Sequence, residues 1–229
     1  MKKRFLGRTV FLRHGQTKYT DVFPDLTKAG TRTITKSAGL IRPFIKDHQN
    51  LVIVASPHAR TLGSADVIAK AIEYKGQIKE EPTIRAAGVK DKKAGKAIFD
   101  EHTRNGGMRA LSIAYATDPR YEDSQIFEPR SEVRQRFFVY LAHMVRNLLI
   151  SMGPTPCFIC VSHYETLYYF VERLFGLDYE KDEPLGHGEI IVVSIYDVGT
   201  ANIVELEVTF RNETINNVFF DYKEKGIRT

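Results

Sequence analysis

Cysteine is scarce in this 229-residue chain, with Cys157 and Cys160 its only examples, too few for the disulfide framework of a small secreted fold. Long apolar runs are missing as well. Stretches such as residues 190–195 fall far short of the roughly 18 residues that suggest a membrane span. The first six residues bring two lysines and an arginine with no apolar stretch after them, so no secretory leader is expected. These absences predict a reduced, cytoplasmic protein without a membrane partner. Hydrophobic residues at 43% and charged residues at 27% exclude disordered, collagen-like and coiled-coil classes. No internal repeat, low-complexity tract or linker is present, and the length suits one α/β domain over residues 1–229. Lys and Arg number 33 against 28 Asp and Glu, a net charge of +5, which favours anionic partners. No helix carries a basic stripe with base-reading residues, so nucleic acid is not expected among them.

Residues 9–12 and 51–55 are short β-branched and aliphatic runs, and between them Ile34, Ala38, Ile41 and Ile45 recur at helical spacing. This predicts a β-α-β unit, its helix capped by Thr27 and kinked or divided by Pro43. A second helix follows over 59–74, with Leu62, Ala65, Ile68, Ala69 and Ile72 on one face. Over residues 76–129 the periodicity fades and Gly88, Gly95, Gly106, Gly107 and Pro119 accumulate, predicting an irregular, cap-like insertion. Ser131 is the expected cap of a long amphipathic helix through Val133, Phe137, Tyr140, Met144, Val145 and Leu148, ended by Gly153 and Pro154. A strand over 157–161, a helix over 165–175 closed by Gly176, and strands at 190–196, 204–210 and 216–220 complete the pattern. Such alternation predicts a three-layer α/β/α fold: a mostly parallel sheet with an antiparallel edge, and the insertion over the C-terminal ends of the strands. In sheets of this kind ligands bind at those ends.

The residues just after the strands repeat a theme. Arg13, His14, Gly15, Gln16 and Thr17 follow the first; Ser56, Pro57, His58, Ala59 and Arg60 the second; Ser162, His163, Tyr164 and Glu165 the third. Guanidinium groups and imidazoles gathered beside helix N-termini suit a dianion such as phosphate. A neutral imidazole can attack phosphorus in line when a hydrogen bond to its other nitrogen fixes the tautomer, and His14 is the candidate. Other residues have plainer readings. His48, His102 and His143 read as structural or solvent-facing. Cys157 and Cys160, on opposite faces of one strand, read as core thiols and not as a redox or zinc pair. Lys90, Lys92, Lys93 and Lys96 read as a solvated loop. Tyr168, Tyr169 and Phe170 read as helix packing, whereas Tyr164 can reach the site.

Four segments in order resemble the histidine phosphatase superfamily, which includes cofactor-dependent phosphoglycerate mutase and many phosphomonoesterases. They are Leu12-Arg13-His14-Gly15-Gln16-Thr17, Leu26-Thr27-Lys28-Ala29-Gly30, Ser56-Pro57-His58-Ala59-Arg60 with Ser64-Ala65, and Val161-Ser162-His163. The resemblance covers most of the chain. It implies a phosphohistidine on His14, with Arg13, Arg60 and a protonated His163 holding the phosphoryl oxygens, and Gly15 clearing space for the entering group. Gln16, Thr20 and Tyr164 are implied to contact substrate. No metal and no cofactor is implied, and the expected partner is a small phosphomonoester or other phosphorylated molecule.

The chain also departs from the family pattern. Where members usually carry a general-acid glutamate, this sequence reads Ile84-Arg85-Ala86-Ala87-Gly88, placing Ala86 at the acid's position. Asp91, Asp100, Glu101 and Glu165 are the candidate substitutes. Thr20 stands where Asn is common, His58 where an apolar residue is usual, and His187 near the rim where Asn is common. Three functions are compatible with this pattern: a metal-independent phosphomonoester phosphatase, a phosphoglycerate mutase-type phosphotransferase, and a degenerate, non-catalytic phospholigand-binding protein.

Overall fold

Strand β1 (Arg4–Arg13) sends Phe11 into one core and Val10 and Leu12 into another, because successive side chains of a strand point to opposite faces. The same alternation in β4 (Pro156–Ser162) turns Cys160 toward the first core and Ile159 and Val161 toward the second. Cys160 Sγ lies 3.1 Å from the Tyr140 hydroxyl, while Cys157 Sγ faces the Phe44 carbonyl. Burial pushes both thiols up to about 12, which suits inert core residues. The computed structural model describes residues 3–19, 22–23, 25–45, 50–151, 155–179 and 181–228.

Among these residues eight strands form one sheet. Besides β1 and β4 they are β2 (Asn50–Ala55), β3 (Lys79–Glu80), β5 (Ile190–Thr200), β6 (Ile203–Phe210), β7 (Glu213–Asp221) and β8 (Gly226–Arg228), in the order β3-β2-β4-β1-β5-β6-β7-β8. The pairs from β3 to β1 are parallel and those from β1 to β8 antiparallel. The sheet is therefore mixed, with a parallel core and an antiparallel edge. Arg13 pairs with Ser162 and Ala55 with Val161, so three strands end level and the residues after them share one edge.

Helices α1 (Lys28–Ile45) and α2 (Ala59–Ala71) bury Ile34, Ala38, Ile41, Ala65 and Ile68 against one face. Helices α4 (Arg130–Ile150) and α5 (Tyr164–Phe175) cover the other, where Phe137 meets Phe11 and Phe170 at ring distances of 5.2 and 5.5 Å. Burying each such ring contributes about 1.5–3 kcal/mol. Thr27 caps α1 as expected, its hydroxyl accepting the Gly30 N–H at 2.9 Å, and α1 runs on through Pro43 to Ile45. Gly176 closes α5 in the left-handed conformation. No helix among the described residues is long and apolar enough to cross a membrane.

Two expectations fail. The insertion is not irregular: Lys92–Thr117 forms a 26-residue helix, α3, bent where Gly106 and Gly107 leave helical geometry. Gly107 takes φ 65° and ψ −151°, a region essentially open to glycine alone. The bend rotates one limb's apolar face relative to the other, which erases a single helical period from the sequence. Ser131 does not cap α4; Pro129 occupies that position without a side-chain cap bond, and Ser131 lies in the first turn. Gly153 and Pro154, read as the stop of that helix, lie outside the described residues.

Candidate active site

The level strand ends bring His14, Ser56 and His163 together. His14 N donates to the Ser162 carbonyl at 3.0 Å and Ser56 N to the Val161 carbonyl at 3.1 Å, extending the parallel ladder by one residue. The rings of His14 and His163 then stand 5.2 Å apart, those of His58 and His163 4.9 Å, and those of His14 and His187 5.5 Å. Helices α2 and α5 begin at this edge, and neither start has a side-chain cap bond; α2 also lacks an acidic residue in its first turn, whereas α5 has Glu165 there, so the positive end of the α2 dipole is open to an anion.

His14 is 5% exposed. Its Nδ1 lies 2.8 Å from the Gly15 carbonyl, an acceptor, so the neutral ring carries its proton on Nδ1 and a lone pair on Nε2. Burial, with the Arg60 and Arg13 charges behind it, holds His14 well below the usual 6.5 against the opposing Gly15 bond. Gly15 N donates to Ser64 Oγ at 3.0 Å. A Cβ on Gly15 would meet the Gly30 carbonyl at 2.9 Å, and one on Gly30 the Gln16 carbonyl at 2.1 Å. Glycine is thus required here for close packing of the loop on α1. This corrects the expectation that Gly15 clears space for the phosphoryl group.

His163 is fully buried, and both ring nitrogens are engaged. Arg60 Nε donates to Nδ1 at 3.3 Å, and Nε2 lies 2.6 Å from Ser56 Oγ. With Nδ1 accepting, the neutral ring donates through Nε2 to Ser56. Burial, with any proton on His14 and the Arg60 charge opposing a second cation beside it, keeps His163 well below its usual range. The expected protonated His163 is therefore not the state of the free site, because a proton on Nδ1 would meet the Arg60 donor.

Arg13 is buried, with Nη1 donating to the Leu185 carbonyl at 2.6 Å and its guanidinium 5.2 Å from the centre of the Tyr164 ring. Burial lowers Arg13, and the Glu165 carboxylate is the first of the charges opposing that shift. Arg13, His14, Arg60, Ala86, Asp100, Tyr164 and Glu165 line one cavity of about 400 Å³, together with side chains of α3, within the usual ligand-site range of roughly 300–1,000 Å³.

The remaining candidates separate by position. Asp91 caps α3, accepting from Lys93 N at 2.9 Å and Ala94 N at 3.0 Å. Glu101 pairs with Arg120 at 2.8 Å on the surface. Neither lines the cavity, which corrects their candidacy as the acid. Gln16 is exposed, and its Oε1 accepts from Thr27 Oγ1 at 3.2 Å, away from the cavity lining. Thr20 lies outside the described residues. Sequence reasoning gave no role to Ser56 and Ser64, which hold His163 and the Gly15 amide; both were visible only as members of the matched segments. Apart from Asp100, it also missed the α3 residues of the cavity wall. Among the described residues no group of His, Cys, Asp and Glu could hold a metal ion.

Three imidazoles kept neutral by burial have a measurable consequence. His187 is pushed down to about 4 by burial and by Arg13, whereas the unfolded chain takes up that proton near pH 6.5. Its contribution is complete above pH 6.5 and is lost as pH falls toward 4, by about 1.4 kcal/mol per pH unit for one proton. Between those limits, His187→Asn should show a denaturation free energy that falls less steeply with acidification than the parent's. Parallel slopes would contradict a neutral His187.

No protein-family model and no curated protein matches the chain. Solved structures do match. Bacillus stearothermophilus YhfR is 15% identical, with 90% of this chain and 97% of that one covered and a TM-score of 0.61. A mycobacterial glucosyl-3-phosphoglycerate phosphatase bound to VO3 is 17% identical over 90% and 99%, with a TM-score of 0.57. An Entamoeba histolytica phosphoserine phosphatase mutant with phosphoserine is 17% identical over 93% and 96%, with a TM-score of 0.54. Superposing on these structures over nearly its full length, the chain has a phosphoglycerate mutase-like fold.

Proposed function

We propose that the protein is a phosphomonoester phosphatase working through a phosphohistidine on His14. The observation that carries this reading is the His14 ring itself. It is neutral, its Nδ1 proton is held by the Gly15 carbonyl, and it lines a cavity beside two arginines. Solved structures of the same fold include phosphatases acting on small phosphate esters, by their names glucosyl-3-phosphoglycerate and phosphoserine phosphatases.

In the first step His14 Nε2 forms a bond to phosphorus as the bond to the leaving oxygen breaks. Arg13 and Arg60 meet the charge on the phosphoryl oxygens. A proton passes from the acid form of Glu165 to the leaving alkoxide. In the second step water attacks the phosphohistidine, gives its proton to the Glu165 carboxylate, and releases phosphate and free His14. His163 acts through Arg60: its Nδ1 accepts the Arg60 Nε–H and so fixes the guanidinium, which makes it a positioning residue. Tyr164 likewise supports Arg13 from below its plane.

Arg60→Ala should lower kcat/KM by roughly 100- to 1,000-fold, the usual cost of removing one preorganised donor to developing charge. An unchanged kcat/KM would remove Arg60 from the site.

Ala86 supports a second reading, a binder that has lost its acid. Rapid-quench mixing with a radiolabelled aryl phosphate separates the two. An acid-labile phosphoenzyme that decays to inorganic phosphate is the expected result, whereas binding without labelling favours the non-catalytic protein. Transfer of the label to a second sugar acid would favour the mutase.

A further inference from the structure

We infer that the cavity selects phosphate monoesters whose leaving group is uncharged and apolar, of aryl size, and rejects leaving groups that carry a second anion. This rests on the phosphatase reading and specifies its substrate class. Val89, Phe99, Met108, Leu111, Tyr115 and Tyr121 form an apolar side of the cavity, with Thr103 and Ser112 also on the lining. Leu111, Tyr115 and Met108 belong to α3, and Tyr121 stacks on Phe127 at 4.7 Å, so this wall is anchored in the core. These six are aliphatic, thioether or aromatic, and suit an apolar group that is dehydrated on entry.

Charge distribution decides the rest. Among the described lining residues the cations are Arg13 and Arg60, and the acidic side chains are Glu165 and Asp100, the latter paired with Lys96 at 2.5 Å. Four arginines of the insertion and its flanks are committed outside the lining. Arg85 pairs with Glu128, Arg109 with Glu183, Arg120 with Glu101 and Asp118, and Arg130 with Glu122. Tyr115 and Tyr121 each bury a hydroxyl without a hydrogen-bond partner among the described residues. Burial raises both phenols above their usual range, so they offer neutral hydrogen bonds and no counter-ion. A carboxylate or second phosphate on the leaving group would therefore be desolvated against an apolar wall, with no lining cation beyond the two arginines that hold the phosphoryl oxygens.

The test compares kcat/KM for 1-naphthyl, phenyl and 4-carboxyphenyl phosphates, whose phenolate leaving groups depart without a delivered proton. 1-Naphthyl phosphate should exceed phenyl phosphate by roughly tenfold and 4-carboxyphenyl phosphate by roughly a hundredfold, magnitudes set by filling an apolar pocket or burying an unpaired charge. Leu111→Lys, which adds a cation to the wall, should narrow the gap between naphthyl and carboxyphenyl esters at least tenfold. Equal rates for the charged and apolar esters in the parent, or an unchanged ratio in folded Leu111→Lys, would overturn the assignment while leaving the phosphatase reading intact. Absence of turnover for every ester would overturn the phosphatase reading. In that case, tighter binding of 1-naphthylphosphonate than of 4-carboxyphenylphosphonate would still support the cavity assignment, and equal binding would refute it.

Discussion

His14→Ala should abolish turnover of nitrophenyl phosphate, with a loss on the order of 10⁴-fold or more, and should form no acid-labile phosphoenzyme. The size of the effect follows from the absence of a substitute nucleophile. His163 has both nitrogens occupied, one by Arg60 and one by Ser56. His187 lies 5.5 Å from the His14 ring, on a loop held by the Gly188 N–H bond to the Arg13 carbonyl, and cannot take over the position without displacing that anchor. The fold should survive, because the loop geometry depends on backbone bonds from His14 N and Gly15 N that alanine retains. Circular dichroism and cooperative unfolding of the variant check this independently. Activity within tenfold of the parent in folded His14→Ala would end the phosphohistidine assignment.

The placement of His14 was legible in the sequence because it depends on the most local of signals. A β-branched run ends at Leu12, the next residues are charged or imidazole, and the same change recurs after Ala55 and Val161. Level strand ends then follow from parallel pairing alone. What escaped the sequence depended on contacts between distant segments. Asp91 and Glu165 are both carboxylates near helix starts, yet one caps its own helix and the other faces Arg13, a difference with no local signature. The partner of His163 in the free site escaped because Arg60, 103 residues away in sequence, points a donor at Nδ1. Gly15 was assigned the wrong neighbour for the same reason: the close approach is to Gly30 and Ile34 of α1, not to the cavity. The kink at Gly107 split one helix into two phases and hid most of the cavity wall.

The second large effect concerns proton delivery to the leaving group. A nitrophenolate departs unprotonated, whereas an alkoxide needs a proton in the transition state, a contribution of roughly 100- to 10,000-fold. Ala86 lines the cavity where the family's acid would stand and cannot provide it. Of the carboxylates on that lining, Asp100 is half-exposed and tied to Lys96 at 2.5 Å. Glu165 sits in the first turn of α5, two residues after His163, and is the first of the charges acting on Arg13. Glu165→Gln should therefore lower kcat for a benzyl or alkyl phosphate by about 100-fold or more while leaving nitrophenyl phosphate within a few-fold. Asp100→Asn should leave both substrate classes nearly unchanged. Ala86→Glu, made in the Glu165→Gln background, should restore alkyl phosphate turnover, since it returns a carboxylate to the lining of the same cavity. Equal losses for alkyl and nitrophenyl esters in Glu165→Gln would mean that Glu165 supports Arg13 and delivers no proton, and a selective alkyl loss in Asp100→Asn would transfer the role to Asp100.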